Sequence, residues 1–159
     1  MSEKKSGFVG VIGKANVGKS TLVNSIVGQK IAITSPKPQT TRKKARAVFT
    51  DDRGQIVFLD TPGIHKSRSK LGDYMMSSAW STFADADVIL WMTEPSDIFT
   101  ETEELICTKL NTLECPIILV INKTDTISKD KLLEFIEKGY DLKKWRCFLR
   151  EKCDGRKGN

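Results

Sequence analysis

One eight-residue motif, set between a strand-like run and a helix-like run, limits the possible folds of this chain more than any other feature. Residues 13–20 read Gly-Lys-Ala-Asn-Val-Gly-Lys-Ser and fit the pattern G-x-x-x-x-G-K-[ST]. An apolar run at 8–12 precedes the motif, and apolar residues recur at helical spacing over 22–27. Gly28 then follows as a left-handed helix end. The segment therefore predicts a strand, a tight loop and a helix start.

The chemistry of such a loop is phosphate binding. Its N–H groups must turn inward around an anion, which takes backbone angles and a close approach that a Cβ would block, and the helix N-terminus adds positive charge. Lys19 would reach the β- and γ-phosphates, and the Ser20 hydroxyl would bind Mg²⁺. A glycine-rich turn without a ligand is the alternative for this motif alone. The nucleotide contacts expected here are Gly13, Lys14, Ala15, Asn16, Val17, Gly18, Lys19, Ser20 and Thr21.

A second motif, Asp60-Thr61-Pro62-Gly63, follows the apolar run at 56–59. It places a carboxylate at the carboxyl end of a buried strand, which is the edge where open α/β sheets bind ligands. We expect Asp60 to hold Mg²⁺ through water and the Gly63 N–H to meet the γ-phosphate. An acidic strand end followed by a proline-glycine turn is the structural alternative.

A third motif, Asn122-Lys123-Thr124-Asp125, follows the most hydrophobic stretch of the chain, residues 117–121. A carboxylate accepts two hydrogen bonds from a base edge that carries two adjacent donors, and guanine has such an edge whereas adenine does not. Asp125 is therefore the residue expected to select guanine, with the Lys123 stem covering the base and Asn122 bracing the loop. A solvated polar turn is the alternative.

The segment from about 34 to 44 has little periodicity, and long irregular loops inside compact domains are usually functional. A threonine here could close over Mg²⁺ and the γ-phosphate and release when the phosphate leaves. Thr40 and Thr41 are both candidates for this role. The basic residues at 42–46 are interpreted as a solvated face rather than an RNA site.

The remaining periodicity predicts further strands near 45–50, 55–60, 87–92 and 116–121. Helices are expected over about 70–83, after a capping box of Thr100 and Glu103, and from about 128 to 138. Alternating strands and helices predict an α/β fold of three layers, in which helices cover both faces of a mostly parallel sheet. The phosphate motif makes this a P-loop NTPase fold, with a last strand that is altered or missing.

Together with the stretch Thr-Ser-Pro-Lys-Pro-Gln-Thr-Thr-Arg at 34–42, these motifs resemble the GTPase domain of the bacterial Era family over residues 7 to about 140. The resemblance implies a cytoplasmic GTPase that assists small ribosomal subunit assembly and 16S rRNA maturation through a second, RNA-binding KH domain. It implies Mg²⁺ held by Ser20, Thr41 and Asp60, and K⁺ held near the phosphates by Asn16. The catalytic residues implied are Lys19, Thr41, Gly63 and Asn16. Peripheral membrane association is a further expectation.

The C-terminal residues depart from this family pattern. Family members end the domain with a strand and a Ser-Ala loop that meets guanine O6, but residues 138–159 contain neither Ser nor Ala. These 22 residues hold eight Lys or Arg and three Asp or Glu, so they carry +5 of the formal +6 charge. The expected division is an Era-type domain over 1–140 and an atypical, poorly ordered basic tail over 141–159, without a KH domain.

Two explanations of this tail are open, namely a shifted reading frame from about residue 145 and a divergent final strand near 146–150. Three functions also remain open: an active GTPase, a nucleotide-binding module with little or no GTPase or RNA-binding activity, and an RNA-binding protein that uses the tail. The absence of an 18-residue apolar run and of a signal-peptide core favours the cytoplasm.

Overall fold

The computed structural model describes residues 3–14, 16–28, 45–59, 77, 80–96, 100–137 and 145–149. Within them, six strands form one sheet in the order β2-β3-β1-β4-β5-β6, with the first strand near its centre. Chain order alternates strands and helices, as the sequence predicts. The elements are β1 (Lys5–Ile12), α1 (Lys19–Val27), β2 (Ala45–Asp51), β3 (Gly54–Leu59), β4 (Val88–Thr93), α2 (Glu101–Leu110), β5 (Ile117–Ile121), a 3₁₀ turn (Thr124–Thr126), α3 (Lys129–Glu137) and β6 (Trp145–Leu149).

The sheet is mostly parallel. β1 pairs in parallel with β3 and with β4, β4 with β5, and β5 with β6. The β2–β3 hairpin is antiparallel. At its turn the Arg53 guanidinium donates two hydrogen bonds to Asp51 Oδ2 and lowers the pKa of that half-buried carboxyl. The parallel strands all end toward the same edge, which therefore gathers the segments that follow them.

Each face of the sheet has its own apolar core because side chains alternate along a strand. One core contains Ile12, Leu59, Ile89, Trp91 and Leu119 with Phe83, Ile106 and Leu110, and α3 packs half-buried side chains against it. The second core contains Val11, Phe58, Met92 and Val120 with Val17 and Val23. The loop after β1 is thus attached to the sheet by Val17, which is 2% exposed.

The helix ends follow the signals in the sequence. Gly28 ends α1 with φ 72 and its N–H donates to Asn24 O. The capping box is confirmed, because Thr100 and Glu103 satisfy each other's backbone N–H groups at the start of α2. Of the helix expected over 70–83, the structure describes residues 77 and 80–83, which are helical. No helix in the described part of the chain has the length and hydropathy needed to cross a membrane.

The last strand is present, at residues Trp145–Leu149. It pairs with β5 from Ile117↔Trp145 to Ile121↔Leu149 and forms one edge of the sheet. These residues overlap the final strand predicted near 146–150. The five residues belong to the sheet rather than to a poorly ordered tail, although the predicted boundary at 140 precedes them.

Gly10 in the centre of β1 lies where no side chain fits. An added Cβ would be 2.5 Å from Phe83 Cδ1 and 2.8 Å from Ile89 Cδ1, and both side chains are fully buried. We expect Gly10→Ala to lower the free energy of unfolding by about 1–3 kcal/mol, because a full core cannot yield space without strain. Urea unfolding followed by circular dichroism measures this.

Gly7 in the same strand is the matched control, since its Cβ would lie 3.5 Å from Asp87 Oδ2, an ordinary contact. Gly7→Ala should therefore leave stability unchanged or slightly raised. Equal unfolding free energies for the two variants would contradict this account of β1.

Candidate functional site

The loop between β1 and α1 lies directly against the ends of β4 and β5, and two of its glycines permit that approach. A Cβ at Gly13 would be 2.4 Å from Met92 O, and a Cβ at Gly18 would be 2.4 Å from Asn122 Nδ2. Gly18 also has φ 104, which L-residues with a side chain rarely adopt. These two positions therefore require glycine for packing and backbone geometry.

Lys19, the first residue of α1, points back over the loop. Its Nζ donates to Gly13 O at 2.8 Å and to Lys14 O at 2.5 Å. The ammonium group thus lies within the loop at the N-terminus of the helix, where backbone N–H groups and the helix dipole also favour an anion. Ser20 and Thr21 follow in the first turn and are exposed.

Asn122 connects the base-recognition motif to the phosphate loop. It directly follows β5, is 5% exposed, and its Nδ2 donates to Val17 O at 2.8 Å. Its own N–H donates to Thr93 O at the end of β4. Asn122 Oδ1 is buried and accepts no hydrogen bond from any described residue. A buried acceptor without a donor is costly, so this atom is a place where a donor from elsewhere would bind favourably.

Lys123 makes the second connection. It has φ 58, and its Nζ donates to Asn16 O at 3.0 Å and to Glu94 Oε2 at 2.6 Å. Asn16 has φ 63 and an exposed side chain. Asparagine adopts this left-handed region more readily than most residues. The Lys123 stem thus crosses from the end of β5 to the loop, with Glu94 balancing its charge.

Asp125 lies in the 3₁₀ turn Thr124–Thr126, immediately beyond Lys123, and it is exposed. The turn is held by Thr126, whose N–H and hydroxyl both donate to Lys123 O. The carboxylate therefore projects from a fixed turn at the same edge of the sheet as the phosphate loop.

The motifs do not predict that Thr93 and Glu94 lie in this region. They also do not predict the side-chain contact that Glu103 makes with the loop. Glu103 Oε1 lies 3.3 Å from Lys14 Nζ and accepts from Thr93 Oγ1 at 3.2 Å. The sequence signals Glu103 as a helix cap, but no local pattern indicates that a cap in α2 also faces the loop after β1.

Several expected site residues fall outside the described part of the chain. They are Ala15, Thr40, Thr41, Asp60, Thr61, Pro62 and Gly63. Of the three expected Mg²⁺ ligands, the structure describes Ser20 alone. Its hydroxyl belongs to the first turn of a helix behind a glycine-lined loop that holds a lysine ammonium, a donor set that fits a metal–phosphate group. The described residues contain no cluster of three or more His, Cys, Asp or Glu that could hold a metal alone.

A loop of this shape, with the turn after β5 hydrogen-bonded to it, is the arrangement found in a P-loop GTPase domain. The family model described as "50S ribosome-binding GTPase" matches residues 8–123. GTPase Era from Halothermothrix orenii is 49% identical over 130 residues, covering 82% of this chain and 44% of that protein. The chain belongs to the Era family of GTPases.

Solved structures agree with this assignment. Era in complex with MgGDPNP and nucleotides 1506–1542 of 16S ribosomal RNA is 36% identical, with a TM-score of 0.70 over 92% of this chain and 52% of that one. A variant of Aquifex aeolicus Era bound to GDP and AlF4⁻ is also 36% identical, with a TM-score of 0.69 over 91% and 51%. The chain thus spans about half the length of these relatives.

The Asn122–Val17 hydrogen bond gives a direct test of the connection between the two loops. Asn122→Ala removes a buried donor, so we expect the free energy of unfolding to fall by about 1–3 kcal/mol. Affinity for GDP should fall as well, because the phosphate loop loses its attachment to β5. Urea unfolding and titration with a fluorescent GDP analogue measure the two effects.

Thr126→Ala serves as a comparison, since it removes an exposed hydroxyl bond to Lys123 O and leaves the attachment of the loop intact. If the Asn122→Ala variant has wild-type stability and wild-type GDP affinity, the Asn122–Val17 hydrogen bond does not hold the loop.

Proposed function

We propose that this chain binds GTP and GDP with Mg²⁺ and hydrolyses GTP to GDP and phosphate. The observation that carries the proposal is the bonding of Asn122 to Val17 and of Lys123 to Asn16, which makes the base turn and the phosphate loop one unit. A site of this kind can bind a base and a phosphate chain at the same time. Membership of the Era family supports the same function.

The roles of individual residues follow from their chemistry. Lys19 and the loop N–H groups would hold the phosphates, and Asp125 would accept two hydrogen bonds from guanine. Ser20, Thr41 and Asp60 would hold Mg²⁺, which shields the charge of the phosphates. The Gly63 N–H would meet the γ-phosphate, and Ala15, Thr61 and Pro62 would contact the nucleotide. Asn16 would bind K⁺ beside the phosphates and so supply part of the positive charge that the reaction needs.

The wider role proposed is assistance in small ribosomal subunit assembly and 16S rRNA maturation in the cytoplasm. The Era structure with a 16S ribosomal RNA segment supports this, but it contains a chain about twice as long. RNA binding would therefore depend on parts that have no counterpart in these 159 residues. The proposed division is a GTP-binding domain over 1–140 and a basic segment over 141–159, within which Trp145–Leu149 adds a strand to the sheet of that domain. Peripheral membrane association is a further proposal.

A second candidate function is nucleotide binding with little hydrolysis or RNA binding. It is favoured by the lack of Ser and Ala in residues 138–159, where the family pattern has a loop N–H that donates to guanine O6. A site that lacks one of its donors would hold guanine less tightly and turn over slowly. Measured GTP turnover relative to GTP affinity separates the two functions.

Thermal-shift titration with GDP, GTP and ATP tests the proposed specificity. A ligand at 100 times its dissociation constant stabilises the folded state by about 2.7 kcal/mol, so GDP and GTP should raise Tm and ATP should not. Asp125→Asn should abolish the shift with GDP and produce one with xanthosine diphosphate, whose C2 oxygen needs a donor. Unchanged GDP affinity in this variant would exclude Asp125 as the guanine-selecting residue.

The ion requirement is tested by GTP turnover in Mg²⁺ with either K⁺ or Na⁺. We expect a higher rate in K⁺, because the smaller Na⁺ would not span Asn16 and the phosphate oxygens equally well. Asn16→Gly should remove the K⁺ effect while GDP binding persists, since glycine adopts the φ of 63 at this position without strain. Equal rates in K⁺ and Na⁺ for the unaltered chain would argue against a bound K⁺.

A further inference from the structure

We infer that Glu103 is a positioning residue for the nucleotide: its carboxylate holds Lys14 and thereby fixes the first half of the phosphate loop against β4 and α2. This inference rests on the proposed nucleotide binding and adds a residue outside the three motifs at 13–20, 60–63 and 122–125. It concerns Lys14, Thr93, Thr100 and Glu103.

The carboxylate of Glu103 is saturated with donors from three separate parts of the fold. Oε2 accepts from the Thr100 N–H at 2.8 Å and from the Thr100 hydroxyl at 2.9 Å. Oε1 accepts from Thr93 Oγ1 at 3.2 Å and lies 3.3 Å from Lys14 Nζ. The N-terminus of α2, the end of β4 and the phosphate loop therefore meet at one side chain.

The burial of this side chain makes the contact with Lys14 strong. The Glu103 side chain is 3% exposed and that of Lys14 is 31% exposed, so the pair is shielded from water and salt on the carboxylate side. A buried carboxylate is stable only when it is paired and hydrogen-bonded. Helix capping alone would need one oxygen of Glu103, and a glutamine would supply it. Thr93 and Lys14 share the other oxygen, and of these two partners Lys14 is the one that a negative charge attracts.

Lys14 transmits this constraint to the phosphate site through its backbone. Its carbonyl oxygen accepts a hydrogen bond from Lys19 Nζ, while its side chain extends to Glu103. The second half of the loop is held by Asn122 at Val17 and by Lys123 at Asn16, where Glu94 balances the lysine. Glu103 is thus the counterpart of Glu94 at the other end of the loop.

This constraint on the loop should affect the rate at which the nucleotide dissociates. A loop held at both ends is already shaped for phosphates, and pre-organisation slows dissociation more than it speeds association. Loss of the Glu103–Lys14 pair should therefore raise the rate of GDP release, and the effect should require Lys14.

The test is a double-mutant cycle of Glu103→Gln and Lys14→Gln, read as the dissociation rate of a fluorescent GDP analogue. Glu103→Gln retains an oxygen for Thr100 and leaves an amide where Lys14 needs an acceptor. Each single variant should release GDP on the order of tenfold faster, and the double variant should be no faster than either, because contacting residues are non-additive. Glu104→Gln, an exposed carboxylate in the same helical turn, should match the unaltered chain.

Further measurements distinguish positioning from general destabilisation. Thr100→Ala weakens the cap but keeps the Glu103 charge, so it should lower Tm without the Lys14-dependent change in release. Unchanged release in Glu103→Gln, or strictly additive effects in the double variant, would overturn the inference while leaving the proposed function intact. A failure of the unaltered chain to bind GDP would overturn both.

Discussion

Parallel pairing of β1 with its neighbours is the constraint on which the rest of the structure depends. Because β1, β4 and β5 run in the same direction and in register, Ile12, Trp91 and Leu119 lie side by side, and the residues after each strand meet at one edge. Gly13, Thr93 and Asn122 thereby become neighbours although they are far apart in sequence. The position of the site therefore depends first on the direction of the strands and then on individual side chains.

Charge balance at this edge is the second organising feature. Three lysines approach one short loop, and in each case a polar partner holds the ammonium group: Glu103 for Lys14, loop carbonyl oxygens for Lys19, and Glu94 with Asn16 O for Lys123. Unpaired ammonium groups in such proximity would repel one another and open the loop. The carboxylates therefore offset the charge of the lysines and keep the loop compact.

The sequence predicted the elements well because their signals are local. The run before Gly13, the capping box at Thr100 and the left-handed Gly28 each depend on residues within a few positions of one another, and the structure has them. After residue 138 an unusual composition predicted a last strand that is altered or missing, and the sequence did not decide between the two. Pairing with β5 places a strand at Trp145–Leu149, because backbone hydrogen bonding to an exposed sheet edge does not require the residues typical of the family.

For the site, the residue types and their spacing predict which residues can bind: a glycine loop expected to admit phosphate, a lysine at a helix start and an asparagine-lysine-aspartate turn after a strand. How these parts are joined follows from the tertiary structure. The hydrogen bonds from Asn122 to Val17 and from Lys123 to Asn16 join residues that are more than a hundred positions apart in sequence. The contact of Glu103 with Lys14 joins α2 to the loop after β1. Such pairings have no local signature, because they arise from the order of strands in the sheet and not from the spacing of residues along the chain.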